Sequence, residues 1–140
     1  MDDREFVARF EDCTLPPALF DHRNHVRLAW LYLKEEPLLT AMIRFKASLK
    51  RYAGSLGAAA KYHETITIAF LLLIHERMGA AETFDQFADA NADLFGPLLE
   101  RYYSKEALAS EEARREFVMP DLSPILPFAP LAGGRCPQGG

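Results

Sequence analysis

Four histidines stand in the 140-residue chain, at positions 22, 25, 63 and 75. His22 and His25 are three residues apart, so on a helix they leave the same face about one turn from each other. That spacing lets two imidazoles reach one metal ion, and neutral imidazole is a common ligand for zinc, iron and nickel. A pair alone does not close a site, so further ligands must come from another element. The best-placed donor is His63-Glu64, at the polar start of an otherwise apolar segment. Adjacent helical residues diverge by about 100°. His63 and Glu64 therefore cannot both point squarely at one centre, while Thr67 lies between their directions on the following turn. Burying this polar arc without partners would cost about 1–3 kcal/mol per group. Three readings follow: a shared metal centre, a buried polar network without metal, or unrelated surface positions.

In the first reading His22, His25 and His63 hold a divalent ion, zinc, iron or manganese, and Glu64 serves as fourth ligand or general base. Three protein ligands leave a position for water or substrate, as catalysis by a metal requires. Trp30, Tyr62 and Thr67 would line the pocket for a small organic substrate, and Arg44 is its candidate anion-binding group. The expectation is a small metal-dependent enzyme, with hydrolysis, elimination and oxygen chemistry all open. A non-catalytic metal- or ligand-binding module and a helical interaction protein with structural histidines are the alternatives. His75 follows Glu64 by eleven residues, about 16 Å along a helix axis. It is too far to share an ion with Glu64 and suits the negative end of its own helix. Asp21 reads as an N-cap, and Asp121 as a turn residue that could alternatively swing over the site.

The elements that must position these residues are helices. Phe6, Val7 and Phe10 recur at helical spacing over residues 3–12, and Pro16-Pro17 breaks that pattern. A second helix carries Val26, Ala29, Trp30 and Leu33 from Ala18 or Asp21 to about Glu36. Pro37 ends it and opens a third helix that fades near Gly54 or Gly57. The segment KYHETITIAFLLLIHERMG, apolar almost all round from Ile66 to Ile74, predicts a buried helix stopping at Gly79 and central to the bundle. Thr83-Phe84-Asp85-Gln86 forms a capping box. Pro97 to Tyr103 is a further helical piece, and Ser110 caps a last short helix. The fold expected is an all-α bundle of five to seven helices over 1–119. A Pro-rich extended strap over 120–140 packs on the same domain, its GGRCPQGG end frayed.

Hydrophobic residues form 49% and charged residues 26% of the chain, which suits one folded domain rather than a disordered segment. A formal charge of −4, from 16 basic and 20 acidic residues, argues against broad electrostatic binding to nucleic acid. The start, MDDREFVARFEDC, is acidic and amphipathic, unlike a secretory signal. The longest apolar run falls far short of the roughly 20 residues that span a bilayer. A cytoplasmic protein with a small-molecule partner is expected, without nucleic-acid or membrane partners and compatible with a homodimer. Cys13 and Cys136 lack metal-type spacing and read as reduced thiols. Gly-rich phosphate loops, Gly-x-Ser-x-Gly and His-Glu-x-x-His are absent from the sequence.

The stretch Phe20-Asp21-His22-Arg23-Asn24-His25, running on to Ala29-Trp30, is followed by Tyr62-His63-Glu64-Thr65 and later by Pro120-Asp121-Leu122. These three elements resemble a group of short uncharacterised bacterial helical proteins. Members of that group often carry Trp-Thr before the first histidine, where this chain has Phe20-Asp21. The resemblance implies a site around the histidines and implies no particular reaction.

Overall fold

The structure, a computed structural model, describes residues 1–125. The expected strap therefore lies largely outside the described residues, as do the GGRCPQGG end and Cys136. Seven α-helices, and no strand, are found among the described residues: α1 (Asp3–Glu11), α2 (His22–Glu35), α3 (Leu38–Ser55), α4 (Glu64–Glu76), α5 (Phe84–Ala90), α6 (Lys105–Ala109) and α7 (Glu111–Arg115). Short 3-10 turns at Pro17–Leu19, Ala59–Lys61, Ala92–Phe95 and Leu98–Arg101 join them. The all-helical bundle expected from the apolar periodicity is the fold observed. No helix among the described residues is long and apolar enough to cross a membrane.

Local signals set most of the boundaries. Asp21 caps α2 by accepting a hydrogen bond from the Asn24 amide at 2.9 Å, satisfying one of the orphan donors of a helix start. Thr83 and Gln86 complete the expected capping box on α5, and Ser110 caps α7. Ser104 caps the short α6, a helix not anticipated as a separate piece. Pro37 occupies the N-cap of α3 with extended backbone, one position earlier than expected. Gly57 and Gly79 both adopt positive φ beyond the ends of α3 and α4, the conformation in which a side chain is disfavoured. Pro97–Tyr103 forms only one 3-10 turn, Leu98–Arg101.

The centre of the bundle is α2, which packs against α1, α3, α4 and α5. The apolar α4, expected at that centre, lies instead between α2, α3 and α7. Its hydrophobic girth is still used, since every residue from Tyr62 to Ile74 is buried or partly buried. Phe10 of α1 knits the other side together. Fully enclosed at 0% exposure, its ring meets those of Phe20, Tyr32, Phe45 and Tyr52 at centroid distances of 5.8, 6.3, 5.9 and 5.5 Å. This aromatic cluster ties α1 to α2 and α3, and it continues directly into the histidine site.

Candidate functional site

The first turn of α2 delivers His22 and His25 to one wall of a cavity of about 70 Å³ between α2 and α4. Thr67 contributes from α4, and the remaining lining is apolar, including Val26, Ala29, Phe45, Phe70, Leu71 and Ile74. The i, i+3 spacing does what the sequence implies, bringing the two imidazoles to a common space. Sequence reasoning missed Phe45, Leu71 and Ile74 as site residues, although they belong to the same apolar stripes that mark the helices.

The two rings are held differently. His22 Nε2 lies 2.9 Å from the Leu94 carbonyl oxygen. A carbonyl only accepts, so that nitrogen carries the proton and donates. The His22 ring also sits edge-on to Phe70 at 5.5 Å and Phe95 at 6.0 Å. His25 stacks on Phe20 at 5.1 Å and tilts against Phe45 at 5.8 Å. No described residue hydrogen-bonds to the His25 ring. Trp30 Nε1 is the one enclosed side-chain nitrogen or oxygen without a partner among the described residues. The His25 nitrogens are therefore unpaired among the described residues yet still accessible. Burial, reinforced by the neighbouring His22, pushes the His25 imidazole down from its ordinary 6.5 to about 4, so it is neutral through the physiological range.

His63 and Glu64 serve a second, separate cluster. The backbone at His63 is extended, with φ −130° and ψ 111°, and His63 is the N-cap of α4. Its Nδ1 accepts from the Ile66 amide at 3.1 Å, and its Nε2 donates to the Leu108 carbonyl at 2.8 Å. Both ring nitrogens are thus engaged. Glu64 takes the Lys46 ammonium at 2.6 Å and the Tyr62 hydroxyl at 2.7 Å. Burial works to raise the Glu64 carboxyl, but Lys46 and Tyr62 outweigh it and hold the group below the usual carboxylate range. Tyr62 is pushed far above its ordinary value by burial and by Glu64. Thr67 donates to the His63 carbonyl at 2.8 Å. The polar arc at the start of α4 thus finds its partners in α3, Tyr62 and the end of α6, rather than in His22 and His25. Among the described residues, no three His, Cys, Asp or Glu side chains gather where one metal ion could be held.

His63 accordingly tests as a cap. His63→Ala should lower stability in urea unfolding by about 1–2 kcal/mol through loss of the cap and the Leu108 link. His63→Asn, which restores an N-cap acceptor, should recover much of that loss; equal losses in both variants would argue against the capping role.

The other candidates lie elsewhere. Trp30 and Arg44 line a larger open groove of about 660 Å³ between α1 and α2. Arg44 is neutralised there by Glu36 and by Glu11 at 3.5 Å, so two carboxylates occupy the guanidinium proposed for anions. Tyr32 closes this network by donating to Glu11 at 2.5 Å. Asp121 accepts from the Ser104 amide at 2.8 Å, which is turn chemistry, and His75 is exposed in the last turn of α4. Set against known protein families, curated proteins and solved structures, the chain matches none significantly.

Proposed function

We propose that this chain is a small-molecule-binding domain whose ligand occupies the cavity between α2 and α4, with His25 as its polar anchor. The observation that carries this reading is an imidazole kept neutral on a cavity wall with no hydrogen-bonding partner among the described residues. Every neighbouring polar side chain of the two clusters, His22, His63, Glu64 and Thr67, has such a partner. Apolar walls with a few convergent polar groups are the usual make-up of a ligand pocket. A neutral imidazole can also accept a proton from a bound molecule, so turnover at His25 is chemically open.

A metal-dependent form of the same site is the second reading, favoured by the sharing of one cavity by His22 and His25. Unprotonated imidazole is the form that ligates zinc, iron or manganese. The ion would take those two rings and draw its other ligands from water or substrate, or from a His63 that had left its cap.

The test combines two measurements on untagged protein. Xenon, which enters apolar cavities, should shift the methyl resonances of Val26, Leu71 and Ile74 saturably; unmoved methyls would mean no accessible cavity and would overturn the proposal. Elemental analysis separates the readings. Near-stoichiometric metal, lost in both His22→Ala and His25→Ala, would replace the organic-ligand reading with the metal-dependent one.

A further inference from the structure

The polar inventory of the cavity narrows what it can recognise. No Lys, Arg, Asp or Glu lines it, so neither an anion nor a cation finds a counter-charge there. Burying an ion without one is strongly unfavourable. Hydrogen-bonding capacity is lopsided as well. The His22 Nε2 proton is directed at Leu94, so the donor at that nitrogen is already engaged. The Thr67 hydroxyl proton is directed at the His63 carbonyl, leaving that oxygen only as an acceptor. Neutral His25 offers one donor and one acceptor. Between Thr67 and His25, acceptors thus outnumber donors by two to one. Size adds a limit, because the cavity is about 70 Å³, roughly half the 150 Å³ that accommodates benzene.

From this lining, and resting on the reading of the cavity as a ligand site, we infer that the ligand is a neutral hydrogen-bond donor with a short apolar body. A short-chain aliphatic alcohol, or the hydroxyl-bearing end of a longer alcohol, is the class that fits. Its hydroxyl hydrogen meets the ring lone pair on His25, and its carbon chain lies along Val26, Leu71 and Ile74. A carboxylate would place its charge against those lone pairs. An ether of the same size would leave those acceptors without a proton.

Three small probes and xenon test this on the unaltered protein. 1-Propanol, ethyl methyl ether and propionate have near-equal size, and the first two are isomers. Imidazole and methyl resonances are followed by NMR at constant pH. 1-Propanol should move the His25 ring signals and the Val26, Leu71 and Ile74 methyls saturably, with ether and propionate at least tenfold weaker. Ether or propionate binding as tightly as the alcohol would overturn the inference. Xenon entering while the alcohol does not would also overturn it, yet leave the cavity standing as a ligand site. If xenon too fails to enter, both readings fall together. In His25→Phe the preference for alcohol over ether should collapse to within about twofold while xenon still binds; a preserved preference would remove His25 from recognition. The isomer comparison decides the class even if that variant fails to fold.

Discussion

Phe10→Ala should lower the unfolding free energy by about 3–5 kcal/mol, the range for deleting a fully enclosed Phe side chain. Phe10 has 0% exposure and its ring touches four other aromatic rings from α2, α3 and the Phe20 turn. Two of those rings, Phe20 and Phe45, are the ones that sandwich His25. The substitution should therefore have a second effect, one that a remote core deletion would lack. Slackening of Phe20 and Phe45 admits water to the imidazole and weakens the burial that keeps it neutral. The His25 titration, followed by its ring carbon-bound proton, should move upward from about 4 toward the ordinary value. Urea unfolding and NMR titration of the same variant check both parts. A large stability loss with an unmoved His25 titration would show that the cluster and the site are mechanically independent.

How much of this was legible in the sequence follows from the range of the interactions involved. Helix α2 could be placed because its signals are local: Asp21 caps it, and Val26, Ala29, Trp30 and Leu33 repeat at helical spacing. The pairing of His22 with His25 on one wall was legible for the same reason, since residues three apart must share a face. The role of His63 was not. Imidazole is an uncommon N-cap, and the apolar pattern of α4 reads the same whether the helix begins at His63 or at Glu64. Beginning at Glu64 puts His63 on extended backbone, so its direction no longer follows the helical wheel on which convergence with His22 and His25 was argued. The partners that settle this corner lie far along the chain: Leu108 is 45 residues from His63, and Lys46 is 18 residues from Glu64. No pattern within one segment encodes them. The centrality of α2 was missed for a related reason. Apolar content on all sides marks a helix as covered, but α4 is covered partly by the small helix α7 and the chain after it, which periodicity alone does not reveal.

His25→Phe should flatten the acid side of the stability profile. In the folded chain the His25 pKa lies at about 4, against an ordinary 6.5. Above pH 6.5 the ring is neutral in both folded and unfolded chains, and it contributes no pH dependence. Between about 6.5 and 4 the unfolded chain takes up a proton that the folded chain refuses, so stability falls as the pH falls through that window. Below about 4 both states are protonated and the contribution levels off. The depression is worth about 3 kcal/mol at most, and about 2–3 once the opening of the ring toward the cavity is allowed for. Phenylalanine cannot titrate, and it suits a slot between Phe20 and Phe45 that already stacks an aromatic ring. At pH 7 the variant should match the parent within about 1 kcal/mol, as shape-conserving replacements do. At pH 4.5 it should be the more stable of the two by about 2 kcal/mol in urea unfolding. Carboxylates such as Glu64 and Asp93, held low by their cationic partners, also weaken the fold in acid, but they do so equally in both proteins and cancel in the difference. A parent and variant that lose stability in parallel from pH 7 to 4.5 would mean that His25 is protonated as readily in the fold as outside it. A protonated ring would put a fixed charge into the cavity and remove the neutral, acceptor-rich surface on which recognition of an alcohol depends.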